Sequence, residues 1–287
     1  MTSGIVYPNV QETLRYLVNG VDLESIAVIL GDDEGLVQPP EQPDVTVKVP
    51  GRHGVIDVGG TVGPGFITFS GYILGVDPAT GLWNAAEPFG EYLRRVDALQ
   101  RMFTAPRLEI VAVRPDGSSR RAYGRLLGSL QPAQQRANPW FGRFKVTVRI
   151  PGAFWEDAEL VTQNVEGPSG TVVPLAAFAA ATAPMAGMTL TVQGPCSNPL
   201  WVHGDRTLQW NGVIPSGRQL VIDTAVWQVT PGTGAAWTPD LRQVAFYPGP
   251  SWFELDPQRQ PFDVTWIHTG GGSARSWITA RRKYQNA

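Results

Sequence analysis

The chain has 287 residues, long enough for two domains, with 43% hydrophobic and 17% charged side chains and a formal net charge of −2. Lys+Arg and Asp+Glu number 15 and 15 up to Gly152, then 8 and 10 beyond it. Neither half is a basic surface, so nucleic-acid binding by phosphate neutralisation is disfavoured. One cysteine, Cys196, excludes an intrachain disulfide and a cysteine-built metal site, while 32 Gly and 25 Pro point to many turns between short strands.

The opening segment "MTSGIVYPNV" lacks the basic and apolar regions of a signal peptide, which predicts synthesis and folding in a cytoplasm. "RYLVNGVDLESIAVIL" reads as strand broken by Asn19-Gly20, a type I′ turn signal. "DVTVKV" alternates like a half-buried strand, and "VPGRHGVIDVGG" then reverses the chain, with Arg52 and His53 at the turn. "GFITFSGYIL", Gly65 to Leu74, is a further strand. One helix is expected in "PFGEYLRRVDALQRMFTAP", with Leu93, Val96, Leu99 and Phe103 on its apolar face and Pro106 stopping it. A hairpin turning at Pro115-Asp116-Gly117 follows, then "RFKVTVRI", which alternates apolar Phe144, Val146, Val148 and Ile150 with Arg143, Lys145, Thr147 and Arg149.

Composition shifts near Pro151 to Asp157, and 8 of the 10 Trp lie from Trp155 onwards. The uncharged run from Gly167 to Gly204 is broken by Pro174 and Pro184 and rich in Ala, so it reads as a soluble element or surface loop, without membrane insertion. From Met188 short strands alternate with turns, including Trp210-Asn211-Gly212 and Pro215-Ser216-Gly217, as in a β-sandwich. The fold class is therefore mainly β: an α+β domain at 1–153 with one principal helix on a sheet or split barrel, and an all-β sandwich at 154–287.

Chemistry is hard to find. His53, His203 and His268 lack metal-ligand spacing, and no nucleophile elbow, Walker loop or H-E-x-x-H occurs. "GGTVGPG" places Pro64 where a phosphate loop needs amides, and "GDDEG" lacks the alternating oxygens of a calcium loop. Cys196 has no base beside it in sequence and reads as structural. No catalytic residue, cofactor or metal is assigned, and the chain is read as a non-enzyme.

Three stretches in order resemble the distal tail proteins, also called phage minor tail proteins, of long-tailed, non-contractile bacteriophages. These are the turn "VKVPGRHGVI", the link "RIPGAFWED", and the ending "YPGPSWFELDPQRQPFDVTWIHTGGGSARSWITARRKY". Glu166 to Gly187 has no counterpart in the resemblance and reads as a lineage-specific loop. The resemblance implies a galectin-like second domain and a first domain that joins copies into a hexameric ring at the distal tip of the virion tail. Such a hub joins the tail tube protein to a tail-associated lysin, fibre or baseplate proteins, with DNA only in transit through the lumen. Ring contacts are expected at Arg52, His53, Tyr92, Arg95 and Phe103. Arg143, Lys145 and Arg149 are expected to line the lumen or meet a neighbour. The alternative is a carbohydrate-binding adhesion module for a host-surface glycan, with Trp201, His203, Asp205 and Trp210 as its contacts.

Overall fold

The computed structural model describes residues 14–26, 28–29, 46–47, 56–57, 63–75, 87–130, 132–135, 138–232, 239, 243–247, 253–270 and 274–286. The chain divides into two compact units: Met1–Glu156 with Gln285–Ala287, and Asp157–Tyr284.

The first unit is an antiparallel sheet crossed by one helix. Strand order is Val21–Asp22, Arg15–Val18, Leu108–Val113, Ser119–Leu127, Asn138–Ile150, Gly65–Leu74, Val28–Ile29. Asn19 (φ 52°) and Gly20 (φ 79°) make the tight reversal that lets Val18 face Val21. At the next hairpin Gly117 (φ 82°) closes a turn in which its N–H donates to the Arg114 carbonyl. The longest pairing runs Phe141↔Leu74 to Ile150↔Gly65, so Val146 sits opposite Phe69 and Val148 opposite Ile67. These inward side chains meet Tyr16, Leu99 and Phe103, all buried. The Phe69 ring touches Tyr16 edge-on at 5.4 Å and Phe103 at 6.1 Å.

Helix Pro88–Phe103 packs against the two long strands. Proline at its start removes one of the amides that a helix N-terminus leaves unpaired, and the chain exits at Thr104, whose N–H donates to the Gln100 carbonyl. A close approach is possible because position 142 is glycine: any Cβ there would run into the Tyr92 ring and hydroxyl.

The second unit is a β-sandwich. One sheet runs Val161–Asn164, Arg275–Ala280, Met188–Gln193, Gln219–Asp223, Gln228–Pro231. The other runs Thr171–Pro174, Asp263–Thr269, Cys196–His203, Arg206–Trp210, Val244–Tyr247, with Val213–Ile214 beside Cys196. Inward residues of both, including Leu190, Ile278, Trp201, Trp210 and Trp266, form one core. Trp201 lies opposite Trp266 with ring centroids 5.3 Å apart, and its indole N–H donates to Ser276 Oγ of the facing sheet at 2.9 Å. This hydrogen bond ties one sheet to the other.

Glu166 to Gly187 is not an appended loop. It supplies edge strand Thr171–Pro174 and the short 3-10 turn Ala176–Phe178. Leu175, Phe178, Ala181 and Met185 belong to the sandwich core. The alanines that resembled loop filler allow this segment to lie close against the sheets.

Candidate assembly interface

The helix shows how sequence and structure part company. Its buried side chains are Tyr92, Arg95, Leu99, Met102 and Phe103, while Leu93 is 44% exposed and Val96 half-buried. The core-facing stripe is thus rotated from the expected one, because an arginine occupies a core position. Arg95 Nε donates to Glu91 Oε1 at 3.2 Å, and Nη1 donates to the Ile26 carbonyl at 3.1 Å. Its methylenes pack with the apolar side chains while the head stays hydrogen-bonded. Glu91 also accepts from Arg94 at 3.0 Å, so one carboxylate serves two guanidinium groups. Burial pushes the Tyr92 hydroxyl above its ordinary pKa.

Tyr92, Arg95 and Phe103 therefore serve the interior of the first unit, with relative exposures of 3%, 8% and 0%. The helix instead exposes Phe89 (45% exposed) and Leu93, with half-buried Val96 beside them, spaced i, i+4, i+7 along one flank. Arg52 and His53 lie outside the described residues.

The sheet's open face carries the second surface. Alternation turns Phe66, Thr68, Ser70 and Tyr72 to the same side as Arg149, Thr147, Lys145 and Arg143, their cross-strand partners. Arg125 and Leu127 join the row beside Arg149 and Thr147. One half of this face is neutralised internally: Arg121 pairs with Glu156 at 2.9 Å and Glu109 at 3.6 Å, and Arg107 lies over the Tyr123 ring at 3.9 Å. In the other half Arg125, Arg143 and Arg149 form no ion pair with a described residue, and Arg149 Nε is buried without a hydrogen-bond partner. Arg143 lies over the Tyr72 ring at 5.3 Å, and Phe66 and Leu127 add exposed apolar area at 42% and 49%.

The sugar-contact residues expected in the second unit are scattered. Trp201, His203 and Trp210 are buried at 0%, 0% and 1%, which leaves no ring for a sugar to stack on. His203 works as a brace. Its Nδ1 lies 2.7 Å from the Asp263 carbonyl, and its Nε2 accepts the Asp256 N–H at 3.1 Å, pinning the bend at "LDPQRQPFD". Asp205 is exposed and pairs with Arg259. Cys196 is buried, and burial pushes its thiol up to about 11, which suppresses the thiolate a nucleophile needs. Among the described residues no three His, Cys, Asp or Glu side chains gather to hold a metal, and no helix is long and apolar enough to cross a membrane.

A helix-on-sheet unit with a cationic open face is followed by a sandwich whose buried tryptophans serve its own core, and this fold is shared with a solved phage hub protein. The chain is similar to the SPP1 Dit (gp 19.1) protein, described as a paradigm of the hub adsorption apparatus in phages infecting Gram-positive hosts. The similarity covers 94% of this chain and 99% of that one, with a TM-score of 0.64 and 13% identity. Chains of the phage P2 baseplate in its activated conformation, with calcium or strontium, match at 9% and 10% identity over 96% and 93% of this chain and 100% and 98% of those. Their TM-scores are 0.44 and 0.42. No protein-family model and no curated protein sequence matches the chain.

Proposed function

We propose that the protein is a structural virion component that forms a six-fold ring at the distal end of a phage tail tube and acts as its hub. The observation that carries this is the likeness to the SPP1 hub protein at a TM-score of 0.64, which runs through both units and leaves almost nothing of either chain over. The first unit, Met1–Glu156 with Gln285–Ala287, is the ring-forming domain and the second, Asp157–Tyr284, is the peripheral sandwich. A closed ring of identical copies uses heterologous contacts, two different patches on each subunit. The flank Phe89, Leu93 and Val96 supplies one apolar patch, and the face bearing Phe66 and Leu127 supplies another. Arg143, Lys145 and Arg149 lie on that second face and either line the lumen through which DNA passes or meet acidic groups of a neighbour. The tail tube protein on one side, and lysin, fibre or baseplate proteins on the other, are the partners of such a hub.

Sedimentation of the purified chain over a concentration series, followed by negative-stain imaging, tests the reading. Closed rings of six copies are expected. Rings of another symmetry, or a strict monomer at about 100 μM where an interface of ordinary size is saturated, overturn it.

A further inference from the structure

The outer face of the five-stranded sheet in the second unit carries a set of side chains with no part in the sandwich core. Inward positions Ser276, Ile278 and Ala280 are buried, so strand alternation turns Arg275, Trp277 and Thr279 outward. Cross-strand register places Asn164 on one side of Trp277 and Thr191 on the other, with Thr279 next along the same strand. Gln193 lies beside Arg275, and Gln219 beside Gln193. Trp277 is half-buried, and its indole forms no hydrogen bond with a described residue. It is the one tryptophan among the described strands of this sheet, and it stands within a neutral field of amides and hydroxyls.

We infer that this face is a binding site for a neutral glycan, centred on Trp277. A pyranose ring has an apolar C–H face and a rim of hydroxyls, each able to donate and accept. An aromatic ring provides the partner for the first, and its free N–H, with the carboxamides of Asn164, Gln193 and Gln219, provides both functions for the second. The charge pattern selects this ligand over the others a sheet face attracts. Arg275 is the single cation of the site and lies 3.9 Å from Glu166, so an anionic polymer finds no net positive field. A second copy of the chain needs apolar area, and around Trp277 the cross-strand rows contain Val221 and otherwise Thr, Asn, Gln and Asp. An extended peptide binds by pairing with a sheet edge, whereas Trp277 belongs to an interior strand.

The site belongs to a single chain, so its test is separable from ring formation. The full-length protein is titrated calorimetrically with N-acetylchitohexaose, cellohexaose, maltohexaose and a neutral host-wall polysaccharide. At least one is expected to bind with a Kd below about 1 mM, and Trp277→Ala is expected to weaken it roughly tenfold or more at unchanged melting temperature. Val226→Ser, on an exposed hairpin tip of the same unit, should bind as wild type. If Trp277→Ala does not fold, Asn164→Ala and Gln193→Ala replace it and must each weaken binding at least about threefold. The proposal is overturned if no probe binds at about 10 mM, if these variants bind like wild type, or if a protein partner alone is found to occupy Trp277.

Discussion

Replacing Phe89 and Leu93 together by serine tests the proposed ring interface at the exposed flank of the helix. A phenylalanine side chain offers roughly 200 Å² to water when unfolded, so the 45% still exposed at Phe89 is about 90 Å². Leu93, at 44%, adds about 75 Å². At about 25 cal/mol per Å², covering both against a neighbour contributes about 4 kcal/mol, close to a thousandfold in the association constant. In a heterologous ring each interface contains this flank once, so every contact loses the full amount. The subunit itself should lose less, since neither side chain is among the buried residues of the helix, although Phe89 stacks on Tyr92 at 6.5 Å. Sedimentation velocity should show the double variant monomeric at concentrations where wild type is assembled, while calorimetry at a dilution where both are monomeric shows the variant still folded. Association within about threefold of wild type would refute the assignment, because a change that small is under about 1 kcal/mol.

Arg95→Met should destabilise the first unit by about 2–4 kcal/mol in urea unfolding, since it leaves Glu91 and the Ile26 carbonyl short of a buried donor. Arg95→Met with Glu91→Leu should recover most of that loss, and a double variant no better than the single one contradicts the account. Gly124→Ala should cost about 1–3 kcal/mol, because a Cβ there falls 2.5 Å from Val148 Cγ1 and 2.8 Å from the Arg149 carbonyl oxygen. Wild-type stability would show that the two strands can part without loss. Cys196 makes stability fall as pH rises from about 9 towards 11, because its folded pKa is raised and the unfolded thiol loses its proton first. Below that window its contribution is constant, and Cys196→Ala should reduce the slope in urea midpoints, leaving the part that Tyr92 and Tyr123, also raised by burial, contribute above about 10. The native thiol should also resist iodoacetamide at about pH 8 and react only on unfolding.

Much of this was legible in the sequence wherever local chemistry and global packing agree. Gly65 to Leu74 and the alternation in "RFKVTVRI" form the strands they spell, because one face of each is buried. Asn19-Gly20 and Pro115-Asp116-Gly117 turn where they should, because positive φ is required there. The helix was visible but its orientation was not. Leu93 and Val96 look like core by hydrophobicity, yet Tyr92 and Met102 are larger, and Arg95 is compensated by Glu91 and a carbonyl that sequence cannot place nearby. The strand Cys196–His203 is one that the sequence does not spell, since Asn198 and Pro199 interrupt it. In the fold Asn198 takes φ 48° where the pairing with Asp263–Thr269 shifts register. The sugar-site expectation failed for a related reason: tryptophan near histidine and aspartate in sequence says nothing of which side of a strand each occupies. Trp201 and His203 share the inner face, whereas Trp277, with no flanking signal, is outward.

The open face of the first unit shows why charge totals hide assembly surfaces. The 15 basic and 15 acidic residues up to Gly152 cancel in number, but not in position. Glu109 and Glu156 are taken by Arg121, which leaves Arg125, Arg143 and Arg149 without carboxylate partners among the described residues. A monomer tolerates this because three guanidinium groups at a wet surface are screened within about 10 Å. In the ring proposed above every copy would bring the same uncompensated charge into a confined space. Such a face would then meet acids across a subunit boundary, in which case salt weakens assembly. Otherwise it must open on a lumen, in which case neutralising it leaves assembly intact or strengthens it by relieving repulsion. The Nε of Arg149 is enclosed within its own chain, out of reach of a neighbour, so it selects neither arrangement. Arg143, held over Tyr72 and largely in water, suits the second.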